Sequence, residues 1–197
     1  KEKKFKLVTH HWSNHINKGF NIYKMINDKL NEEEWKNKIE LTIIGNKPKN
    51  MSFNNCTLFD PLEGKQLAET LKNNHAYITA TINEPAGMHH IEGACCGLPL
   101  LYINSGALPD YCHNHGIEFD KKNLFDKILE MIENYSLYRH KMNNYQYNSN
   151  YSCSKYYDLF VSLLKQKNKI INNRKKIKIS ILSKLFFYYE KYKKKFK

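Results

Sequence analysis

The sequence predicts an α/β fold, a doubly wound, Rossmann-like parallel sheet followed by a basic helical tail. Three observations support this prediction. Short apolar runs alternate with segments of helical periodicity, polar loops follow the apolar runs, and positive charge is concentrated near the end of the chain. Right-handed crossovers between parallel strands place helices on both faces of such a sheet. We therefore expect a Rossmann-like domain over residues 1–164 and a basic amphipathic helical tail over residues 165–197.

Four apolar runs are the predicted strands, and they cover residues 5–9, 39–44, 76–80 and 98–103. The predicted helices cover residues 18–30, 64–72, 87–96 and 123–133. The first of these helices is indicated by Phe20, Tyr23, Ile26 and Leu30, which recur at helical spacing. Since ligands bind outside the carboxyl ends of the strands in a doubly wound sheet, we expect a site in the loops that follow the strands.

Positive charge separates the body of the chain from its tail. The 197 residues include 32 Lys and Arg and 19 Asp and Glu, which gives a net charge of +13. Residues 165–197 hold 13 of the basic residues and only Glu190 among the acidic ones, so the tail carries +12 and the first 164 residues carry +1. A soluble acidic enzyme is thereby excluded, and the nearly neutral body gives no support to nucleic-acid binding.

The tail has an apolar stripe at helical spacing, with lysines beside it. The stripe consists of Ile181, Leu185, Tyr188, Tyr192 and Phe196, and the lysines are Lys178, Lys184, Lys191 and Lys195. A basic amphipathic helix of this kind suits an anionic membrane surface. Packing of the stripe on another protein domain and binding of single-stranded nucleic acid are the two alternatives.

The cysteines and the hydropathy indicate a cytoplasmic location. Five cysteines are an odd number and form no C-x-x-C pair, so we expect reduced thiols. No signal-peptide pattern opens the chain, and no apolar run reaches the roughly 20 residues that a membrane span requires. We expect a cytoplasmic protein that the tail can hold at a membrane surface.

The most informative segment is residues 81–99, which contains two carboxylates eight residues apart, Glu84 and Glu92. A predicted strand ends just before Glu84, and a helix is predicted to begin near Gly87. A helix N-terminus attracts anions, and a carboxylate can accept two hydrogen bonds from a sugar diol. This combination suits a nucleotide-sugar pocket. The alternative is purely structural, with Pro85 and Gly87 shaping a turn and Glu84 capping the helix.

This segment closely resembles the E-x7-E region of retaining glycosyltransferases of the GT-B fold, in particular those similar to family 4. The resemblance is carried by Glu84, Glu92 and the run Gly93-Ala94-Cys95-Cys96-Gly97-Leu98-Pro99, followed after a strand by Ser105-Gly106. It extends over residues 6–157, which correspond to the C-terminal, donor-binding half of those enzymes. The family places Gly-Gly where this chain has Ser105-Gly106, and Asp110 stands near a position where the family often has another Glu.

The resemblance also covers the first loop, where Lys18-Gly19 matches a Lys-Gly that grips the donor diphosphate in the family. The family's Arg is absent, and Trp12, Ser13 or Asn14 stands near its place. A lysine at a helix start is by itself more often a solvated surface residue. The resemblance implies that Lys18 neutralises diphosphate charge, that Glu84 contacts the transferred sugar and that Glu92 holds the ribose diol.

Further contacts to the donor are implied around these residues. They come from Gly87, Met88 and His89 at the start of the predicted helix, from Ser105 and Gly106, and from Gly45 and Asn46 at the end of a strand. Leu58 and Phe59 occupy the stretch that borders the base in the family, and Phe59 is the predicted contact. Simple core packing is the alternative for both residues.

Histidines His10, His11, His15, His89 and His90 do not have the spacing of a helical metal site, so we predict no metal. No cofactor is required, and the expected donor is a UDP- or GDP-sugar. The resemblance implies transfer of a hexose, with retention, to a hydroxyl of a glycan, lipid or protein. It also implies a second, N-terminal Rossmann-like domain from the same or another chain. A non-catalytic nucleotide-sugar-binding module and a basic tethering protein remain the alternatives.

Overall fold

The computed structural model describes residues 4–174, 183–186 and 188–189. Its centre is a six-stranded sheet in which every pair of neighbouring strands is parallel, with the order β3-β2-β1-β4-β5-β6. The strands are β1 Phe5–His11, β2 Ile39–Gly45, β3 Thr57–Phe59, β4 Ala76–Thr79, β5 Leu100–Ile103 and β6 Gly116–Phe119. The α/β, doubly wound prediction is confirmed.

Helices connect the strands and continue beyond the sheet. They are α1 Phe20–Lys29, α2 Glu33–Lys38, α3 Gly64–Lys72, α4 His89–Cys95, α5 Leu108–Cys112, α6 Leu124–Glu133, α7 Tyr135–Lys141, α8 Ser149–Lys165 and α9 Lys167–Asn173. Short 3-10 turns cover Ile16–Lys18 and Met142–Asn144.

Two apolar cores form because side chains alternate between the faces of each strand. Leu7 of β1 packs in the core under α1, α2 and α6, whereas its neighbour Val8 packs in the core under α3, α4 and α5. Tyr77 and Ile78 of β4 divide in the same way and are both fully buried. The sheet is therefore covered on both faces.

The strand order reverses between β1 and β4. The chain winds outward from β1 through β2 to β3, returns to β4 beside β1, and winds outward again to β6. At such a reversal the connections leave for opposite faces of the sheet, which opens a crevice at the carboxyl ends of the two strands. His11 ends β1 and Thr79 ends β4, so the loops that follow these two residues border the crevice.

Several predicted boundaries are corrected. β1 extends to His11 rather than ending at Thr9, because His10 and His11 continue the register with β2. The helix predicted over 18–30 is interrupted at Gly19, which has a positive φ of 89°. The helix predicted from Gly87 begins only at His89. The prediction missed the short elements α2, β3, α5 and β6, and it also missed α7 and the longer α8.

By its contacts the chain divides into two compact units, Lys1–Ser152 and Cys153–Lys197. In the second unit, α8 and α9 present no buried residue. Of the predicted tail stripe, Leu185, Tyr188 and the neighbouring Lys184 are described, and they are exposed and helical. Ile181, Tyr192 and Phe196, with Lys178, Lys191 and Lys195, lie outside the described residues. No described helix is both long and apolar enough to cross a membrane.

Candidate functional site

A cavity of about 290 Å³ opens at the point where the strand order reverses. β1 and the loop after it form one wall, and the segment that leads into α4 forms the other. The lining residues are His10, His11, Trp12, Ser13, Lys18, Gly87, Met88, His89 and Glu92. Five of them, Lys18, Gly87, Met88, His89 and Glu92, were predicted from the sequence to contact the donor.

Lys18 and Glu84 form an ion pair at this cavity. The Lys18 Nζ atom lies 2.6 Å from the Glu84 Oε2 atom, although the two residues are 66 positions apart in the sequence. The Glu84 side chain is only 10% exposed and that of Lys18 27%. Lys18 lines the cavity, whereas Glu84 lies behind it and reaches the site through the Lys18 ammonium group. The residue predicted to neutralise the diphosphate and the residue predicted to contact the transferred sugar are therefore in direct contact.

Glu92 lies in the first turn of α4 and is bound to β1. His10 Nε2 lies 2.7 Å from Glu92 Oε2, and His10 is 3% exposed. The Glu92 side chain is 47% exposed, so the carboxylate is both anchored from below and open to the cavity. The hydrogen bond to His10 holds the pKa of Glu92 below its ordinary value, which favours the ionised form.

α4 can approach β4 closely because of Gly93. A Cβ atom at this position would lie 2.6 Å from Cγ of the buried Tyr77 ring, closer than real Cβ contacts occur. Ala94 beside it is buried in the core under this face. The small residues after Glu92 therefore bring the carboxylate down to the edge of the sheet, as the sequence predicted.

His11 and His89 form a buried layer beneath the cavity. Their ring centroids are 4.9 Å apart. Nε2 of His11 lies 3.0 Å from the Tyr23 hydroxyl, and Nε2 of His89 lies 2.9 Å from the Thr79 hydroxyl. Burial is the largest effect that lowers the pKa of each histidine well below its ordinary value, and the Lys18 charge adds to it. Both rings are therefore neutral at physiological pH.

His90 faces a different environment. It is fully buried with its ring centroid 5.4 Å from that of Tyr111, and neither of its ring nitrogens has a hydrogen-bond partner among the described residues. Burial lowers its pKa to about 4. His90 is thus a neutral core residue. Within the described part of the chain, no three His, Cys, Asp or Glu side chains are grouped so that they could hold a metal ion.

The loop that carries Glu84 is held by the loop after β5. Asn83, which has a positive φ of 53°, donates its backbone N–H to the Ser105 hydroxyl at 2.8 Å. Ala107 donates its backbone N–H to the Glu84 carbonyl at 2.8 Å. A Cβ at Gly106 would lie 2.6 Å from the Glu84 backbone nitrogen, so only glycine permits this approach. Ser105 and Gly106 therefore position Glu84 through its backbone.

Gly45 and Asn46 lie beside the first loop at the end of β2. Asn46 Nδ2 donates to the Trp12 carbonyl at 2.6 Å, and a Cβ at Gly45 would collide with the His11 carbonyl. Farther along the same edge, Leu58 and Phe59 in β3 are 41% and 42% exposed. The core-packing alternative is therefore wrong for these two residues, because β3 is a short edge strand whose side chains face solvent.

Gly19 packs against β4 and borders a second cavity. A Cβ at Gly19 would lie 2.6 Å from the Ala80 Cβ atom, so the first loop can rest on the end of β4 only with glycine there. The second cavity, of about 650 Å³, lies on the α1 side and is mostly apolar; its wall includes Gly19, Ala80, Ile82, Ile103 and Phe119. Of the predicted donor contacts, Gly19 alone lines this cavity rather than the smaller one.

Sequence reasoning did not identify His10 and His11 as site residues. The sequence prediction placed both histidines in a loop. In a loop, a histidine doublet suggests a metal site, and no metal was predicted from the sequence. In the structure they continue β1 and point to opposite faces, His10 toward Glu92 and His11 toward Tyr23. The sequence feature that could have identified them is that these two polar residues directly follow the apolar run of β1. Trp12, 60% exposed at the cavity, was noted only as a departure from the family pattern.

Comparison with known proteins gives a family model and several solved structures. Residues 17–149 match the model of the family described as glycosyl transferases group 1. No curated protein matches the chain. Similar folds occur in WaaG, a glycosyltransferase involved in lipopolysaccharide biosynthesis, with a TM-score of 0.63 and 18% identity over 77% of this chain and 45% of that one.

Two further solved structures were determined with ligands. The catalytic domain of starch synthase IV from Arabidopsis thaliana, bound to ADP and acarbose, has a TM-score of 0.63 and 12% identity over 82% of this chain and 39% of that one. The pneumococcal O-GlcNAc transferase GtfA, in complex with UDP and GlcNAc, has a TM-score of 0.57 and 15% identity over 81% of this chain and 36% of that one. The chain thus spans less than half the length of each.

Proposed function

The chain belongs to the group 1 family of glycosyl transferases, and we propose that it binds the nucleotide diphosphate sugar from which such an enzyme transfers a hexose. Its six-stranded parallel sheet has the Rossmann-like architecture of a GT-B donor-binding domain. The observation that carries the proposal is the cavity at the strand reversal. Lys18 and Glu92 line it from two separate segments, and Glu84 pairs with Lys18 from behind it.

Lys18 supplies the charge that a diphosphate requires. Its ammonium group is partly exposed at the cavity and is held by Glu84 behind it. When the bond between the anomeric carbon and the phosphate oxygen breaks, negative charge grows on the departing diphosphate. A preorganised cation at that position stabilises the charge more in the transition state than in the bound donor. Lys18 therefore acts on the leaving group.

Glu84 and Glu92 have different tasks in this proposal. Glu92 is open to the cavity, and its carboxylate accepts hydrogen bonds from the hydroxyls of the ribose diol. Glu84 is more deeply buried, and donor binding draws Lys18 toward the diphosphate, which leaves the Glu84 carboxylate to contact the hydroxyls of the hexose or its developing positive charge. Phe59, Gly45 and Asn46 lie farther along the same sheet edge and border the base.

The reaction that follows is transfer with retention. The acceptor oxygen bonds to the anomeric carbon on the face that the diphosphate leaves, and the acceptor proton departs with the nucleoside diphosphate. Lys18 and backbone N–H groups neutralise the diphosphate, so the proposal requires no metal and no cofactor. UDP- and GDP-sugars are the first candidates for the donor. ADP is bound by starch synthase IV and UDP by GtfA, and both belong in the same test.

Transfer needs more than this domain. The chain covers 36–45% of the three solved structures. The family resemblance implies a second Rossmann-like domain that closes over the donor. We propose that an N-terminal Rossmann-like domain, from the same or another chain, contributes the site for the hydroxyl acceptor. That acceptor is a glycan, a lipid or a protein.

Ligand-observed NMR with UDP-, GDP-, ADP- and CMP-sugars tests donor binding directly. We expect saturation transfer to a sugar of one nucleotide, and Lys18→Met and Glu92→Ala should each weaken that signal. Lys122→Met, a substitution of an exposed lysine that does not line the cavity, is the matched control and should leave the signal unchanged. Absence of binding for every donor at millimolar concentration would overturn the proposal for this chain.

The second unit offers a separate surface for an anionic membrane. α8 and α9 expose Phe160, Leu163, Leu164 and Ile171, and Lys167 and Arg174 border the apolar groove between these residues, whose volume is about 580 Å³. Apolar side chains beside cations suit the boundary between lipid headgroups and acyl chains, where each basic residue contributes about 1 kcal/mol.

Sedimentation with vesicles tests this surface. We expect the protein to bind vesicles that contain phosphatidylglycerol but not vesicles of phosphatidylcholine alone, and the binding should fall with added salt. The double variant K167Q/R174Q should bind less than K121Q/K122Q, which removes two exposed lysines from the first unit. Equal binding of the two variants would refute a role for this groove.

A further inference from the structure

A buried chain of hydrogen bonds leads from β4 through β1 to the exposed Glu92 carboxylate. Tyr77 and His10 lie on neighbouring parallel strands and are 0% and 3% exposed. The Tyr77 hydroxyl lies 3.1 Å from His10 Nδ1, and His10 Nε2 lies 2.7 Å from Glu92 Oε2. His10 therefore links the interior of the sheet to the Glu92 carboxylate.

The geometry favours one direction for each hydrogen bond when the His10 imidazole is neutral. The Tyr77 hydroxyl accepts the His10 backbone N–H at 3.1 Å, so its own proton must be donated elsewhere. His10 Nδ1 at 3.1 Å is a nearer acceptor than the His10 carbonyl at 3.4 Å. A neutral imidazole that accepts at Nδ1 carries its proton on Nε2. His10 then donates Nε2–H to Glu92, as an ionised carboxylate requires.

The Tyr77 proton stays in place at any physiological pH, since burial raises the tyrosine pKa well above its ordinary value. The hydrogen-bond chain therefore keeps a Tyr77 proton available to His10 Nδ1. The hydrogen bond from His10 also restricts the rotamer of Glu92, because His10 lies in β1 and is itself bound to Tyr77 in β4. An exposed glutamate without such an anchor would sample several rotamers and would lose that freedom on binding a ligand.

We propose that His10 is a positioning residue for the nucleotide sugar: with its tautomer set by Tyr77, it holds Glu92 Oε2 and thereby preorganises the carboxylate to receive the ribose diol. This inference rests on the proposed function, since it assumes that Glu92 contacts the donor. His10 itself acts through Glu92 and is not assigned a contact with the reacting atoms.

A double-mutant cycle on the full chain separates this role from general stability. His10→Phe should weaken binding of the donor selected in the NMR panel by about tenfold, as expected for loss of a hydrogen bond to a charged group. In a Glu92→Ala background the same substitution should have no further effect, because the carboxylate that it orients is gone. His10→Gln, whose amide N–H can still donate to Glu92, should restore affinity to within about threefold of the wild type.

Imidazole ¹⁵N NMR provides a readout that needs no ligand. We expect the His10 ring to be the neutral Nε2–H tautomer in the wild type, and Tyr77→Phe should shift it toward a mixture of tautomers. His140→Phe, on the exposed side of α7, is the control for a change from histidine to phenylalanine and should leave donor affinity unchanged.

The outcomes distinguish the two proposals. If no donor binds, or if Glu92→Ala has no effect on binding, the proposed function of Glu92 is wrong and this inference fails with it. If Glu92→Ala weakens binding but His10→Phe does not, or if the His10 ring carries its proton on Nδ1, the positioning role of His10 alone is refuted.

Discussion

The Lys18 ammonium group lies 2.6 Å from the Glu84 carboxylate across the end of β4. The cation proposed to bind the diphosphate is thus paired with the carboxylate proposed to bind the sugar. A bound diphosphate competes with Glu84 for Lys18. The ion pair keeps both partly buried charges compensated until the donor arrives, because an unpaired charge in this position would be costly.

Competition for Lys18 predicts that Glu84→Gln strengthens the binding of a nucleoside diphosphate without its sugar. Removing the negative charge frees Lys18 and lowers repulsion of the diphosphate, and we expect affinity to rise by about threefold to tenfold. Lys18→Met should lower the affinity by about tenfold or more. Isothermal titration calorimetry with UDP and GDP measures both effects.

Two comparisons make that result specific. Glu63→Gln, which removes an exposed carboxylate just before α3, should leave the affinity unchanged. In a complete enzyme Glu84→Gln should also lower sugar transfer while nucleotide binding improves. Weaker nucleoside diphosphate binding by Glu84→Gln would contradict the competition.

Gly93→Ala is expected to disturb the packing of α4, which carries Glu92, against β4. The added Cβ would lie 2.6 Å from Cγ of the Tyr77 ring, so α4 has to move away from β4. We expect a loss of about 1–3 kcal/mol in the free energy of unfolding, as for overpacked cores, measured by urea denaturation. Gly64→Ala is the comparison, since its Cβ would meet no atom within 4 Å and only its positive φ of 54° would cost stability. An equal or smaller loss for Gly93→Ala would refute the close approach of α4.

Much of this arrangement could be predicted from the sequence. The alternation of apolar runs and helical patterns identified the four central strands, and the glycines after Glu92 predicted the packing of α4 on the sheet. Local patterns of this kind carry the information within a few residues. The spacing of Glu84 and Glu92 likewise placed both carboxylates at one edge of the sheet.

The contacts that complete the site depend on long-range neighbours. His10 meets Glu92 across 82 positions, and Lys18 meets Glu84 across 66. The sequence pattern of β1 does not predict which distant residues lie beside the strand in the folded chain. The end of β1 was missed because a histidine doublet does not resemble a strand, and register with β2 extends the strand regardless. Short elements such as β3 and β6 were missed because they give too little pattern.

Ser105→Ala is expected to loosen the Glu84 loop. The Ser105 hydroxyl accepts the backbone N–H of Asn83, which holds a left-handed conformation that non-glycine residues seldom adopt. Loss of this acceptor should lower the free energy of unfolding by about 1 kcal/mol. Asn83→Gly removes the conformational cost at that position and should offset part of the loss in the double variant S105A/N83G. Thermal unfolding of the three variants measures this, and a Ser105→Ala protein as stable as the wild type would contradict the interpretation.

The buried histidines should make the fold sensitive to acid. Burial lowers the pKa of His11 and His89 well below 6.5, so the folded state keeps them neutral, whereas an unfolded histidine takes up a proton as the pH falls through about 6.5. The unfolded state then binds more protons, and the free energy of unfolding falls with pH. The full free energy of unfolding is present above pH 6.5. By pH 5.5, each of the two histidines should have lowered the free energy of unfolding by about 1 kcal/mol.

Urea denaturation at pH 7.5 and at pH 5.5 measures this difference in the free energy of unfolding. His11→Gln and His89→Gln should each reduce it, whereas His140→Gln, at an exposed position, should not. Equal stability at the two pH values would show that these rings are protonated as readily in the folded chain as in the unfolded one.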